Sequence, residues 1–267
     1  MARQRIGREM TTPYLIVTGA SSGIGRALAV EAASRGWAVV LVGRDSACLF
    51  DLVSELPGTA HEVLVADLAT SGGISAACAR LRDEERPCAG VINAAGLGTS
   101  QPYPWGSIQD ERRMLELNVG TVLELSQVAA EVFCPRGTGI IVNVSSTAAY
   151  WSAGTYAGSK AWVLSATQGL AAQCRTSGVQ VMVLIPGFTR TDFHGRSGTD
   201  ASGVRPWMWL TPQDVARAAF EGLDAGREIC VPSLRYRILV GMVRHLPPAG
   251  RIRVLRWLAP LKSSSSD

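Results

Sequence analysis

Short apolar runs alternate with segments of helical periodicity along most of this 267-residue chain. The runs are rich in Val, Ile and Leu, and they lie at residues 14–17, 38–42, 61–66, 90–92, 140–144, 179–185 and 228–231. Unbroken apolar runs of this kind are typical of parallel strands that are buried on both faces. The alternation therefore predicts one α/β domain built on a doubly wound parallel sheet.

A glycine-rich turn joins the first apolar run to a helical segment at residues 26–35. The turn reads TGASSGIG at residues 18–25 and has glycines at positions 19, 23 and 25. Glycine permits a tight strand-to-helix turn and lets backbone N–H groups approach an anion at the helix N-terminus. The spacing is G-x-x-x-G-x-G rather than G-x-G-x-x-G, but the strand before it and the helix after it favour a nucleotide-binding site.

The residues that follow the second apolar run bear on the choice of nucleotide. In dinucleotide-binding folds, the group that contacts the adenosine ribose comes about 20 residues past the glycine turn. An acid there favours a free 2′-hydroxyl, whereas Gly43 and Arg44 favour a 2′-phosphate. The sequence therefore predicts NADP(H) in preference to NAD(H). Asp45 is interpreted as the N-cap of the next helix, with a contact to the ribose as the alternative.

Polar or small residues stand at three further points where a ligand could bind. Asp67 follows the third run, where it could accept from an adenine amino group or cap the helix near Gly73. Asn118 lies within the helical segment 108–133, where asparagine is disfavoured without a specific role; a buried hydrogen bond that bends the helix is the alternative. The small residues at 93–96 indicate close approach of the backbone to a ligand.

Tyr156 and Lys160 lie four residues apart in the segment GIIVNVSSTAAYWSAGTYAGSK at residues 139–160. On a helix they share one face, one turn apart. Lowering the phenol pKa from about 10 by about 3 units needs roughly 4 kcal/mol. An ammonium about 6 Å away supplies about 3 kcal/mol at an effective dielectric constant near 20, so a hydrogen bond or a second positive charge must supply the rest. The pair predicts an acid/base tyrosine beside a nucleotide.

The alternative for this pair is an ordinary amphipathic helix with a snorkelling lysine. Two observations count against it. Lys160 and Lys262 are the only lysines in the chain, against 24 arginines. The rival tyrosine, Tyr150, has Gly154 at the lysine position and is not an equivalent candidate.

The composition excludes several classes of protein. Hydrophobic residues make up 47% of the chain and charged residues 18%, so the chain is not disordered and can bury a sizeable core. The net charge of +4 comes without a basic stripe interleaved with stacking aromatics, so nucleic acid is not an expected partner. The six cysteines lack metal-like spacing, so we expect no metal site and a cytoplasmic location. No apolar run is long enough to span a membrane.

Six motifs together resemble the short-chain dehydrogenase/reductase family. They are TGASSGIG at 18–25, NAAG at 93–96, Asn118, the serine pair at 145–146, YAGSK at 156–160 and PGFTRT at 186–191. The resemblance runs from about residue 14 to residue 231 in the order typical of the family. It implies one Rossmann-like domain with three α/β/α layers, oxidoreductase activity on a carbonyl or alcohol, and a homodimer or homotetramer.

The resemblance also implies roles for individual residues. Tyr156 would be the general acid in ketone reduction and the base in alcohol oxidation. Lys160 would hold the nicotinamide ribose and lower the tyrosine pKa, Ser146 would donate to the substrate carbonyl oxygen, and Asn118 would hold a water that links Lys160 to solvent. The implied cofactor contacts are Gly19, Ser21, Ser22, Gly23, Ile24, Gly25, Arg44, Asp67, Leu68, Asn93, Ala94, Tyr156, Lys160, Pro186, Thr189 and Thr191.

The spacing between the serine and the tyrosine departs from the family pattern. Ser146 precedes Tyr156 by only ten residues, which is fewer than the family usually has. Either the intervening loop is tight or the geometry of the serine is altered. Ser145 is the lesser candidate for the same role.

The chain is expected to divide into a flexible tail at 1–12, a Rossmann domain at 13–232 and a basic amphipathic extension at 233–267. Within the domain, the glycine-rich segment 192–210 with Trp207, Met208 and Trp209 suits a mobile cover over an apolar substrate, or a hydrophobic anchor for a loop. The extension is predicted to form a helix over 234–260. That helix could lie peripherally on an anionic membrane, or pack against the sheet flank or a neighbouring subunit.

The leading hypothesis is an NADP(H)-dependent oxidoreductase that interconverts a ketone and a secondary alcohol on a small lipophilic substrate. The alternative is a non-catalytic NADP-binding sensor or scaffold, which docks to a membrane or partner through the basic C-terminal helix. The shortened loop motivates that alternative.

Overall fold

Seven parallel strands form one sheet in the computed structural model, which describes residues 13–101, 103–151, 154–197 and 202–258. The strands are β1 (Tyr14–Thr18), β2 (Ala38–Gly43), β3 (Glu62–Val65), β4 (Cys88–Asn93), β5 (Gly139–Val144), β6 (Val179–Leu184) and β7 (Ile229–Cys230). Their order is β3-β2-β1-β4-β5-β6-β7, and each neighbouring pair is parallel. The predicted doubly wound parallel sheet is confirmed. The predicted tail at 1–12 lies outside the described residues.

Helices connect the strands and cover both faces of the sheet. They are α1 (Gly23–Ser34), α2 (Ser46–Glu55), α3 (Ser71–Leu81), α4 (Ile108–Leu115), α5 (Thr121–Arg136), α6 (Gly154–Cys174), α7 (Phe193–Arg196), α8 (Pro212–Asp224), α9 (Leu234–Val243) and α10 (Pro248–Leu258). Asp45, Thr70, Ser107 and Thr211 accept hydrogen bonds from first-turn N–H groups and fix where four of the helices begin.

Side-chain alternation along β1 divides the core into two layers. Leu15 and Val17 are buried in one cluster, which contains side chains of α1, α2 and α8. Ile16, between them in sequence, belongs to a second cluster with side chains of α3, α5 and α6. Because successive strand residues face opposite sides of a sheet, the two clusters are the two faces, and the three-layer α/β/α architecture is confirmed.

The order of the strands places the ligand cleft. The chain moves outward from β1 to β2 and β3, then returns to pair β4 with the other side of β1. In open α/β sheets, ligands bind outside the carboxyl ends of the strands at such a reversal point. The glycine turn after β1 and the small residues after β4 meet there.

Two predicted helices are interrupted. The segment 108–133 was predicted as a single helix, but α4 and α5 are separated by a π-helical turn at Glu116–Gly120, with Asn118 buried at its centre. The predicted helix over 234–260 is also wrong, because α9 and α10 are separate. The consecutive prolines Pro247 and Pro248 prevent one continuous helix, because proline inside a helix removes a backbone hydrogen bond and clashes with the preceding turn. Pro248 is instead the first residue of α10, a position where proline is tolerated.

Both C-terminal helices pack onto the domain. Tyr236 of α9 and Leu258 of α10 are buried in the same cluster as Leu15 and Val17 of β1. Among the described residues, no helix combines the length and the apolar character needed to cross a bilayer.

Candidate active site

A cleft of about 820 Å³ lies at the carboxyl ends of the strands. Small-molecule and cofactor sites commonly enclose about 300–1,000 Å³, so the cleft is large enough for a sizeable ligand. Most of the predicted site residues line it, namely Gly19, Ser21, Ser22, Gly23, Ile24, Gly25, Arg44, Asp67, Leu68, Ala94, Ser146, Tyr156, Lys160, Pro186, Thr189 and Thr191. One cavity therefore brings together residues that lie up to 172 positions apart in the sequence, from Gly19 to Thr191.

The glycine turn is packed so closely that side chains are excluded from it. Gly19 has a φ of 68°, in the left-handed region, and a Cβ on it would lie 2.9 Å from the Cα of Ala95. A Cβ on Gly25 would lie 2.2 Å from the carbonyl oxygen of Gly19. The turn leads into the N-terminus of α1 at Gly23, where helix N–H groups lack partners within the helix and favour negative charge. This cradle fits the pyrophosphate of a dinucleotide.

Charged side chains surround the far end of the cleft, beyond β2 and β3. Arg44 is exposed there and lines the cleft. Asp67 accepts from the Ala69 N–H at 3.1 Å and from Arg113 Nη2 at 2.6 Å. Partial burial acts to raise the pKa of Asp67, but Arg113, the Ala69 amide and Arg44 hold it below its ordinary value. The carboxylate of Asp67 is therefore ionised at neutral pH and lines the cleft next to the guanidinium of Arg113.

Two predictions about helix N-caps concern residues at this end of the cleft. Asp45 is the N-cap of α2 and accepts from the Cys48 N–H at 3.0 Å, which confirms that interpretation. The alternative that Asp67 caps the helix near Gly73 is wrong. Thr70 is the N-cap of α3, and its hydroxyl accepts from the Gly73 N–H at 3.2 Å.

Helix α6 places Tyr156 and Lys160 on the wall of the cleft. The Nζ atom of Lys160 lies 5.9 Å from the centre of the Tyr156 ring, close to the distance expected from the sequence. The same atom donates to the carbonyl oxygen of Val144 at 3.0 Å, at the end of β5. Lys160 is only 5% exposed, so the alternative of a snorkelling surface lysine is wrong.

The short loop still brings Ser146 to the tyrosine. A 3₁₀ turn at Thr147–Tyr150 begins directly after Ser146, whose hydroxyl accepts from the Ala148 N–H at 3.1 Å. The Ser146 side chain is also near enough to the Tyr156 hydroxyl to act on its pKa in the lowering direction. Ser145, the lesser candidate, is buried and donates to the carbonyl oxygen of Lys160 at 2.7 Å. The tight loop therefore keeps the two hydroxyls together, while Ser145 anchors α6 to β5.

Burial acts on the two titratable groups in opposite directions. It raises the pKa of Tyr156 to about 12, and the nearby Ser146 side chain offsets only part of this effect. It lowers the pKa of Lys160 to about 8. The side chains of the site therefore do not lower the tyrosine pKa as the sequence argument expected, because desolvation disfavours the phenolate and the ammonium alike. At neutral pH the phenol is protonated and able to donate.

Asn118 lies behind the cleft and connects its wall to α6. Its Oδ1 accepts from the Leu97 N–H at 2.9 Å, and its Nδ2 donates to the Leu97 carbonyl at 2.9 Å. The Nδ2 also donates to the Ser159 hydroxyl at 3.2 Å. A Cβ on Gly96 would lie 3.3 Å from Asn118 Oδ1 and 3.5 Å from Lys160 Nζ, so both polar groups approach the same short backbone segment. The proposed water link from Asn118 to solvent stays a prediction.

Asn93 lies beneath the cleft. Its Nδ2 donates to Asn143 Oδ1 at 2.8 Å, and Asn143 in turn donates to Ser126 at 3.1 Å and Thr167 at 3.0 Å. Asn93 is 2% exposed, and the described residues that line the cleft do not include it. The side chain therefore joins β4 to β5 inside the core, and its role as a cofactor contact stays a prediction.

Aromatic and aliphatic side chains share the cleft with the tyrosine. The Tyr156 and Phe193 rings are 5.5 Å apart, and Leu97, Trp151 and Phe188 line the same cleft. The predicted cover at 192–210 contains α7 and a 3₁₀ turn at Pro206–Met208, but its residues 198–201 lie outside the described residues. The cleft therefore combines apolar surface with a proton donor.

Sequence reasoning missed Arg113, Phe193 and Tyr236. Arg113 binds Asp67 across 46 residues of sequence, and no local pattern indicates such a pair. The Tyr236 hydroxyl donates to the Met208 carbonyl at 2.8 Å and accepts from the Phe188 N–H at 3.0 Å. In the sequence, Tyr236 lies in an apolar helical segment, which indicates packing but not these hydrogen bonds. Within the described residues, no cluster of three or more His, Cys, Asp or Glu side chains could hold a metal ion.

Comparison with known proteins identifies the family and the fold. The family model of the short chain dehydrogenases matches residues 13–202. A serine 3-dehydrogenase from Agrobacterium fabrum is 31% identical over 233 residues, which cover 82% of this chain and 91% of the relative.

Two solved structures are similar over nearly their whole length. A short-chain dehydrogenase from Sphingobium yanoikuyae in complex with NADPH has a TM-score of 0.79 and 32% identity, covering 89% of this chain and 97% of its own. A bulky-bulky ketone specific alcohol dehydrogenase from Comamonas testosteroni has a TM-score of 0.75 and 28% identity, covering 90% and 97%.

Proposed function

Because the chain belongs to the short-chain dehydrogenase family of oxidoreductases, we propose that it interconverts a ketone and a secondary alcohol on a lipophilic substrate, with NADP(H) as the preferred cofactor. The observation that carries the proposal is the cluster of Tyr156, Ser146 and Lys160 on the wall of the large cleft. A protonated phenol beside a nucleotide cradle is the arrangement that carbonyl reduction needs.

The residues around the cleft fit NADP(H). The glycine turn and the N-terminus of α1 would hold the pyrophosphate, and Asp67 would accept from the adenine. Arg44 would bind the 2′-phosphate, because a guanidinium pairs with phosphate through charge-assisted hydrogen bonds. Thr191 and Lys160 would hold the nicotinamide end. When bound, the nicotinamide supplies the hydride for reduction or accepts it in oxidation.

The side chains around the substrate would manage the proton. Tyr156 would donate its hydroxyl proton to the carbonyl oxygen during reduction and take it back during oxidation. Ser146 would donate a hydrogen bond to the same oxygen and orient the phenol. Since burial raises the tyrosine pKa to about 12, the phenol holds its proton at neutral pH in the protein without cofactor.

The surroundings of Tyr156 support a lipophilic substrate. Phe193, Phe188, Trp151 and Leu97 place apolar surface in the same cleft as Tyr156. The structurally similar alcohol dehydrogenase is described as specific for bulky-bulky ketones. A substrate with two sizeable apolar groups on its carbonyl would fill this apolar part of the cleft.

Two further features concern the state of the protein. Leu115 of α4 and Leu123 of α5 are 41% and 51% exposed, which supports the burial of these two side chains between subunits of a homodimer or homotetramer. All six cysteines are described, and each is a free thiol, which supports a reducing, cytoplasmic location.

The test is turnover with purified full-length protein, NADPH or NADH, and a panel of ketones graded from small and polar to bulky and apolar. We expect NADPH oxidation with the bulky ketones, and a kcat/KM at least about tenfold higher with NADPH than with NADH, as one charge-assisted contact provides. Turnover confined to small polar carbonyls would overturn the substrate class. NADPH binding without turnover of any ketone would favour the non-catalytic sensor.

A further inference from the structure

Helix α9 has two apolar faces, of which only one is buried. Tyr236, Val240 and Val243 pack into the domain, and each is at most 8% exposed. Leu234, Ile238 and Met242 are 63%, 54% and 58% exposed. At about 100° per residue, these three side chains span about 80° of the helix surface opposite the buried face. We call them the α9 stripe.

Arginines flank the α9 stripe on both sides. On the same helical geometry, Arg235 falls about 20° beyond Met242, and Arg237 falls about 60° on the other side of Leu234. Both are exposed, as is Arg244 in the next turn. An apolar stripe between rows of long cationic side chains is the arrangement of helices that lie in the plane of a membrane interface.

The charge of the chain is unevenly distributed along the sequence. Beyond Glu228 the sequence has seven of its 26 Lys and Arg residues and only one of its 22 acids, the terminal Asp267. The basic side chains of α9 therefore have no acidic neighbours within their own segment. A surface of this sign attracts anionic lipid headgroups, with about 1 kcal/mol per basic residue as the typical contribution.

Helix α9 is attached to the domain by hydrogen bonds from residues outside the stripe. Tyr236 donates to the Met208 carbonyl at 2.8 Å, and Arg235 Nη2 donates to the Trp209 carbonyl at 3.1 Å. Tyr236 also accepts from the Phe188 N–H at 3.0 Å, and Phe188 lines the cleft. The helix that carries the stripe is therefore fixed to the wall of the cleft, and docking through the stripe leaves these contacts in place.

We propose that the α9 stripe docks the protein onto the surface of an anionic lipid bilayer. The aliphatic side chains insert among the lipid chains, and Arg235, Arg237 and Arg244 contact the headgroups. A second copy of the chain fits this face less well, because pairing α9 with itself about a twofold axis opposes arginine to arginine. The proposal does not depend on the proposed reaction, since docking is measured without cofactor or substrate.

The test is co-sedimentation of the full-length protein with vesicles of phosphatidylcholine alone or with about 30 mol% phosphatidylglycerol, an anionic fraction that gives the surface a negative potential. We expect binding to the anionic vesicles that weakens as ionic strength rises from about 0.05 to 0.5 M, because salt screens surface charges. The Ile238→Glu and Arg237→Glu variants should each lose binding about tenfold or more. Phe50→Glu, a charge placed on another exposed apolar side chain, is the matched control and should bind normally.

Three outcomes would overturn the proposal. These are absence of binding to anionic vesicles, equal binding to neutral and anionic vesicles, and full binding by Ile238→Glu. Light scattering of the same variants identifies the competing occupant, since a change in mass of Ile238→Glu without loss of vesicle binding would assign the stripe to a second copy. Both substituted positions are exposed, and circular dichroism checks that each variant is folded.

Discussion

At the scale of single residues, Tyr156 and Lys160 show how burial and charge compete. The distance between them was expected from their spacing on a helix, and it is 5.9 Å from Nζ to the ring centre. Their pKa values were not, because the desolvation of a side chain depends on what the rest of the fold packs around it. The nearby ammonium favours the phenolate, but the burial of both groups opposes it and has the larger effect.

Arg44 provides a residue-scale prediction about cofactor choice. Arg44→Ala should raise the KM for NADPH by about tenfold to a hundredfold, the range for loss of a charge-assisted contact, and leave the KM for NADH within about threefold. Initial rates with each cofactor provide the measurement. Arg26→Ala is the matched control, because Arg26 pairs with Glu55 and is absent from the described cleft lining. Equal weakening of both cofactors would mean that Arg44 does not bind the 2′-phosphate.

The residue types predicted most of the residues that line the cleft, but not the direction in which each side chain points. Glycines at 19 and 25 were recognisable because only glycine fits so close a turn. Asn93 carries the same motif signal as Ala94, yet its side chain is turned into the core toward Asn143. The difference is the direction of one side chain at a strand end, which depends on polar partners that lie 33 and 50 residues away.

At the scale of elements, the strands were predictable and the interruptions of the helices were not. Apolar runs identify buried strands because both faces of each strand are covered. The π-helical turn around Asn118 does not alter the hydrophobic periodicity of the sequence, so that periodicity did not predict it. It persists because Asn118 satisfies both backbone groups of Leu97, a contact that only the tertiary fold creates. π-helical turns of this kind are frequent at functional sites.

Helix α9 yields a prediction for the substrate side of the cleft. Tyr236→Phe removes the hydroxyl that bridges Phe188 and Met208. We expect about 1–3 kcal/mol less stability, the usual cost of unpaired buried groups, and a several-fold higher KM for the ketone. The kcat should change less, because Tyr236 contacts the cover and not the Tyr156 hydroxyl. Urea denaturation and steady-state kinetics measure the two effects. An unchanged KM with reduced kcat would contradict this role.

At the scale of the whole molecule, the alternation of strand and helix predicted the architecture because it is a property of the entire chain. The packing of the C-terminal segment was not predictable in the same way. Its periodicity allowed a surface helix or a packed one, and Tyr236 and Leu258 are buried while Leu234 and Ile238 are exposed. Each of the two interpretations describes one face of α9, where Tyr236 is buried and Leu234 and Ile238 are exposed.

The burial of Lys160 should lower the free energy of unfolding of the whole protein. Burial lowers its pKa to about 8 from an ordinary value of 10.5, so the folded state binds this proton less tightly than the unfolded chain. The penalty is therefore complete below pH 8 and is relieved as pH rises from 8 to 10.5. At pH 7, the free energy of unfolding of Lys160→Met should be about 1–3 kcal/mol higher than that of the wild type. This range allows for the loss of the hydrogen bond to Val144.

Urea denaturation of both proteins without cofactor, at neutral and alkaline pH, measures this difference. The advantage of Lys160→Met should shrink as the pH increases, since groups common to both proteins cancel. If Lys160→Met is less stable than the wild type at pH 7, or if the difference in their free energies of unfolding does not vary with pH, burial of the ammonium does not destabilise the folded protein.

The most direct test is the rate of hydride transfer from NADPH to a bulky ketone in a single turnover, for wild type, Tyr156→Phe and Tyr150→Phe. Tyr150 is a half-buried tyrosine six positions earlier that is absent from the described cleft lining, which makes it the matched control. We predict that Tyr156→Phe loses about 10²–10⁴-fold in rate, the usual contribution of a positioned general acid, with NADPH affinity and fold retained, and that Tyr150→Phe is unaffected. Hydride transfer by Tyr156→Phe at a rate close to that of the wild type would contradict the account.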